Sequence, residues 1–436
     1  MKMMSECGRK NTSRGGALAK TLLSLAHSLI LSLSPFLTSP AFARSVVYNE
    51  NVKTLQVTVN DDWQSLPVMQ LGSDDVLTVA FDELSHTYHR YVCRLEHCEA
   101  DWSPSEDIFD AYWLEGFNDN PIDDYENSLN TTVLYTHYRY QLPNDHCRLK
   151  MSGNYRLHIL DADKDEADEV LCAEFRVVEP LANVGLSVTT NTDAGLNSSY
   201  QQVEMTVNFN SLRVTAPAEQ LYTEVMQNGR EDCRSVNPRP TAVRYDALQW
   251  QHCRELIFQA GNEYHKFEML DLSHPTMGVD RIVWDGSAYH VFPFLAAPRR
   301  NYLYDEDADG AFLIRNSDNE ETDNTCDYAW VHYKLVPADN YAPADVFVDG
   351  AWTTEHGSVY RMDYDPADRS YNAVVMQKQG YYNYQFVRRV PDGRSQLVPE
   401  EGSFFETENR YQAFVYYKGP TERAWRLVGF QQVVIR

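Results

Sequence analysis

The stretch Tyr91-Val92-Cys93-Arg94-Leu95-Glu96-His97-Cys98-Glu99-Ala100-Asp101-Trp102 holds both questions this chain poses. Its first half alternates apolar and polar residues with a period of two, the pattern of a half-buried strand. Its second half, from His97, gathers an imidazole, a thiol and two carboxylates before Trp102. The strand half bears on the fold, and the polar half raises a chemical reading.

The period of two recurs on both sides of it. Leu55–Val59, Val76–Phe81, Tyr155–Leu160 after the Ser152-Gly153-Asn154 turn, and Ala173–Val177 all read as strands. Further short strands are expected at residues 112–117 and 132–141. Downstream, Val203–Phe209 alternates cleanly, and Gln227-Asn228-Gly229-Arg230 carries the Asn-Gly signal of a tight hairpin. Residues 264–270, 288–294, 328–335, 346–348, 371–376, 382–387, 412–417 and 425–435 continue the pattern, while 316–324 reads as a surface loop. Long runs of period 3.6 are missing. The expected fold is mostly β, with serial immunoglobulin-like or early-set β-sandwich domains. The expected division is a signal peptide at 1–43, a first sandwich at 44–180, a second β domain at 181–336 and a C-terminal sandwich at 337–436.

Lys2, Arg9, Lys10, Arg14 and Lys20 precede an apolar run from Thr21 to Leu37, and Ala41-Phe42-Ala43 follows as an A-x-A cleavage pattern. This predicts export and cleavage after Ala43, with no lipid-anchoring cysteine after the apolar run. The whole chain of 436 residues has a formal charge of −25. Residues 1–43 hold five basic side chains and one acid, which leaves the remainder at −29. That disfavours binding to nucleic acid or to anionic lipid. Seven cysteines remain after cleavage, at 93, 98, 147, 172, 233, 253 and 326, without a C-x-x-C pair. An odd count leaves at least one thiol free, and most are expected to be buried as small apolar residues.

The candidate chemistry thins when weighed. His97, Cys98, Glu99 and Asp101 lack the separated partner ligands of a metal site. They read instead as a strand end whose polar groups bond the turn backbone, with Trp102 packed beneath. Asp305, Asp307, Asp309 and Gly310 imitate the front of a calcium loop, yet Asn316 stands where an EF-hand has its bidentate Glu. An acidic turn is the better reading. Tyr381-Tyr382-Asn383-Tyr384-Gln385-Phe386 offers either a sugar-stacking platform or one face of a core, and alternation favours the core. No G-x-S-x-G, H-E-x-x-H, P-loop or dinucleotide fingerprint occurs.

Taken in order, several blocks resemble the plug proteins of the type IX secretion system. They are HCEADW at 97–102 (His97, Cys98, Asp101, Trp102), FNDNPIDDYENSLNTTVLYTHY at 117–138 (ending at Tyr138) and SGNYRLHI at 152–159. QQVEMTVN at 201–208, VMQNGR at 225–230 (Asn228, Gly229) and GNEYHKFEMLDL at 261–272 (Glu263) follow. GYYNYQFV at 380–387 (Tyr382) and EGSFFETENRYQAFVYY at 401–417 (Glu401, Thr407, Glu408, Asn409) complete the set. The resemblance implies a non-enzymatic periplasmic protein without cofactors, monomeric when free. Its partner would be the large outer-membrane β-barrel translocon, whose periplasmic opening it closes. It assigns these thirteen residues to structure or to an interface. A glycan-binding surface module is the alternative reading. A secreted glycosidase and an exported cargo ending in Gln432-Val433-Val434-Ile435-Arg436 are further ones.

Overall fold

The computed structural model describes residues 45–435 except 165–167, 210, 339–340, 342–343 and 391–394. The expected signal peptide lies outside the described residues. The chain is mostly β, as its periodicity predicts. None of its described α-helices exceeds four residues.

Three buried apolar clusters organise the sheets. In the first, the sheet Val46–Val47, Asp168–Val178, Gly153–Asp161, Tyr91–Cys98 and Asn120–Pro121 also takes Val68–Gln70 beside Asp168–Val178. A second sheet holds Val52–Val59, Leu77–Glu83, Thr136–Leu142 and Asp124–Asn127. Phe81, Tyr91, Leu95, Tyr138, Tyr155, Leu157 and Phe175 fill one core from both sheets, which makes a sandwich.

The second core lies between two other sheets. One is Asn183–Thr189, Tyr200–Asn208, Ala247–Trp250 and Ala242–Val243; the other is Arg230–Val236, Leu221–Gln227, Asn409–Tyr417 and Arg426–Ile435. The third core is wrapped by a ten-stranded sheet whose order runs from His265–Met269 through Gly380–Arg389 and Ser370–Lys378 to Val279–Trp284.

This arrangement departs from the linear division at residue 336. Tyr328–Leu335, expected in the second domain, pairs along its whole length with Ser370–Lys378. Asn409–Tyr417, expected in the C-terminal sandwich, pairs with Leu221–Gln227. The third core is thus an insertion in the second. The physical reason is the 221–236 hairpin, which as two strands has too little partner surface to be stable. It gains that surface only from the last two strands of the chain. Gln432 to Ile435 lie inside this sheet, opposite Gln412 to Asn409.

Local differences are smaller. The strand at 91 runs on through His97 to Cys98, because both bond in register with Tyr155 and Asn154. Residues 110–113 form a helical turn ahead of Leu114–Gly116 where one strand was expected. The strand expected from 132 begins at Thr136, since the Thr132 and Val133 amides donate to the Asp327 carboxylate at 2.7 and 3.0 Å. The 316–324 segment ends in a helical turn, Thr322–Thr325, that docks on the first core instead of lying free.

Candidate functional site: the seams between the cores

The residues singled out in the sequence gather where one core meets another or inside a core. At the seam of the first and second cores, Trp102 is buried with a left-handed φ of +67°. The Arg176 guanidinium lies over its ring at 4.9 Å and over Phe414 at 4.2 Å. The same guanidinium stands 3.7 Å from both Glu224 and Glu231. Burial pushes the Glu231 carboxyl upward, and Glu224 adds to this against Arg176 and Arg234. The rest of the knot holds the joint. Glu99 accepts the Trp425 amide at 3.0 Å. Asn154 donates to the Glu99 carbonyl and accepts the Tyr416 hydroxyl, at 2.9 and 2.8 Å. Asp101 caps Ser103.

His97 and Cys98 point elsewhere. His97 Nδ1 faces Ser105 Oγ at 2.8 Å, and its ring meets Tyr155 edge-on at 5.0 Å. Burial lowers its pKa to about 4, so it sits neutral in the interior. Burial raises the Cys98 thiol, which is therefore a packed thiol with no thiolate character. The two do not form a nucleophile pair. Tyr138 is buried against Phe81 and Tyr91 and accepts the His89 amide at 2.7 Å.

The first and third cores meet over a buried ion cluster. Asp82 accepts from His137 Nδ1 (2.7 Å), Lys378 Nζ (2.7 Å) and the Tyr328 hydroxyl (2.6 Å). Asp82 and Lys378 are almost wholly buried, and Lys378 also lies over the Tyr135 ring at 4.2 Å. Burial would raise the Asp82 carboxyl, but Lys378 and His137 outweigh it and hold it below the usual range. Asp323 receives Lys378 on its carbonyl at 2.6 Å and Arg139 on its carboxylate. These residues are scattered along 296 positions and carry no spacing signal; an Asp in a strand of apolar neighbours, Val79-Ala80-Phe81-Asp82, was the one available clue.

The second and third cores are joined by two crossings, residues 260–264 and 401–409, which run side by side. Glu401 takes the Phe386 amide at 2.8 Å, His265 Nε2 at 2.9 Å and the Arg299 guanidinium. Burial raises its pKa, yet His265, Arg299 and that amide hold it at about 2. Glu263 accepts the Tyr302 hydroxyl and the Glu408 amide, at 2.6 and 3.1 Å. Thr407 Oγ1 donates to Gly261 O at 2.8 Å. Asn409 donates to Ala260 O and Gln201, and accepts from Asn228 at 2.8 Å. Asn228 and Gly229 form the expected hairpin turn, with φ of +53° and +65°. A cavity of about 40 Å³ remains at this junction beside Asn228, Cys233, Tyr264 and Asn409.

The residues of the acidic turn pair within the fold. Asp305 pairs with Lys266, Asp307 caps the Tyr264 and Asp309 amides, and Asp309 faces Arg410. Their oxygens are spent on separate partners. Tyr382, Tyr384 and Phe386 are buried in the third core, with Tyr382 stacked on Phe267 at 5.5 Å, so these three rings form a core face. All seven described cysteines are free thiols, and six of them are buried. No described helix is long and apolar enough to cross a membrane.

Sheets sealed on one another by buried polar seams define a β-sandwich protein whose marked residues hold its cores together. Residues 52–179 match the family model for the type 9 secretion system plug protein 1st domain, so this part of the chain carries the first domain of the type IX secretion system plug family. A crystal structure of a hypothetical protein from Parabacteroides merdae ATCC 43184 superimposes with a TM-score of 0.86 at 34% identity, covering 90% of this chain and 99% of that one. The C-terminal domain of the AgI/II polypeptide BspA of Streptococcus agalactiae aligns at a TM-score of 0.14 and 6% identity. No curated protein matches the sequence.

Proposed function

We propose that this protein is a periplasmic, non-enzymatic plug that closes the periplasmic opening of the outer-membrane β-barrel translocon of its secretion system while no cargo is engaged. Family membership supports the link to that system. The observation that carries the mechanical part is the pair of buried clusters, around Arg176 and around Asp82, that clamp the family-matched core to the other two. A stopper must keep its shape under load, and buried charges that lose their partners on separation oppose any hinge there. Contacts with the barrel would be reversible and of the transient kind, so that cargo can displace the body.

The test is co-purification from detergent-extracted envelopes. The expected result is capture of a very large outer-membrane β-barrel by the tagged mature protein. Recovery of the intact protein in the periplasm with no barrel partner would overturn the proposal.

A further inference from the structure

On the outer face of the first core, beside the edge strand Val46–Val47, lies a mixed donor set that the plug reading does not use. His158, Glu169 and Cys172 place one ligand atom each within 4.8 Å of one another, the one such group of three among the described residues. His158 and Cys172 stand directly opposite on the antiparallel strands Gly153–Asp161 and Asp168–Val178. Glu169 would not join them on a regular strand. Counting by twos from Cys172 carries the outward face to 170, and 169 would turn inward with Leu171. The register shift between Ile159 and Leu160 changes this. Val170 and Leu171 both enter the core, and Glu169 emerges beside Cys172. The Val170 carbonyl accepts the Tyr48 and Asn49 amides at 2.9 and 3.1 Å, which pins the irregularity from the next strand. Bulges of this kind re-aim a side chain, and this one completes a set of nitrogen, oxygen and sulfur donors.

The surroundings suit a metal. His158 Nδ1 lies 2.6 Å from Glu169 Oε1, while its Nε2 lies 3.6 Å from Glu96 Oε2. A ligating histidine commonly turns its second nitrogen to a carboxylate, which fixes the ring and raises its basicity. The neighbouring Arg156 is engaged by Glu174 at 3.0 Å and Glu96 at 3.6 Å. The His158 and Glu169 side chains are 22% and 37% exposed, so an ion can reach them from solvent.

We propose that His158, Glu169 and Cys172 form a binding site for a zinc ion, with the fourth tetrahedral position open to solvent. Imidazole, carboxylate and thiolate together select zinc over the hard cations calcium and magnesium. Binding replaces the His158–Glu169 contact with bonds to the ion and releases two protons to solvent, one from the Cys172 thiol and one from His158 Nδ1, where it bridges to Glu169.

The test titrates the mature full chain, stripped with chelator, with cobalt(II) and then zinc(II). One equivalent of cobalt with a thiolate-to-metal absorption band is expected, and zinc should abolish the band. Cys172→Ser should remove the band, and Cys233→Ser should leave it. Glu169→Gln, at an exposed side chain, should weaken affinity by at least the roughly 10- to 100-fold that loss of an outer-shell partner brings, with the same thermal unfolding midpoint. It keeps the test decisive should Cys172→Ser misfold. A band that survives Cys172→Ser, affinity unchanged in Glu169→Gln, or no stoichiometric binding would overturn the site.

Discussion

At the scale of single residues, burial has turned reactive-looking side chains into structural ones. His97 is the clearest case. Folded, its ring stays neutral until the pH reaches about 4; unfolded, it takes a proton near 6.5. Between those values the unfolded chain binds more protons, so stability should fall as pH drops from 6.5 to 4, by on the order of 3 kcal/mol. Glu401 adds a loss at lower pH, as acid passes from its unfolded pKa of 4.5 towards about 2. Urea unfolding of His97→Gln and of the parent across pH 4–7 checks the first step: the variant should show a flatter profile. Lys378→Met should cost about 3–5 kcal/mol by leaving Asp82 buried without its cation. Lys378→Met with Asp82→Asn should recover part of that. The His97–Trp102 knot was legible as a strand end packed over Trp102, because adjacency in sequence cannot build a metal site. The Asp82 cluster was not legible, since nothing in one strand names a lysine nearly 300 positions away.

At the scale of elements, the strands follow the alternation closely, and the turns follow their glycines and asparagines. Gly229 sits at φ +65°, and a Cβ there would meet Leu66 Cδ2 at 2.8 Å. Gly229→Ala should therefore cost about 1–2 kcal/mol from the left-handed backbone alone, read from chemical denaturation. Asn409→Ala should cost more, about 1–3 kcal/mol for each buried partner left unsatisfied. Hydrogen exchange should quicken at 228–230 and 260–264, where its partners lie. Strand ends were harder to read. Thr136–Leu142 starts late because Asp327, on another core, takes the amides that would have extended it. A strand stops where a competing acceptor appears, and that acceptor belongs to tertiary structure.

At the scale of the molecule, the sandwich class could be read from periodicity, whereas the partition of the strands could not. Alternation states that a strand has one buried face; it does not state which edge the strand joins. The 409–435 hairpin would suit either neighbour, and only the unmatched 221–236 hairpin decides between them. The seams make a further prediction. Arg176→Met combined with Lys378→Met should uncouple the first core, so that calorimetry shows an early transition ahead of the remainder, where the parent melts with the cores together. A single unchanged transition would mean that apolar contact alone, such as Met226, Phe414 and Leu427 against Val178, holds the joint.

The insertion also sets an order of events in time. A chain leaves the ribosome from its N-terminus, so the first core can close as soon as residue 178 is out. The third core can close next, once 398 has passed. The second core, begun at residue 182, waits for Arg426–Ile435. Until then the strand Leu221–Gln227 has an open edge, the kind that recruits other chains. The interval between its arrival and that of its partner, nearly 200 residues long, is when this protein most needs a chaperone.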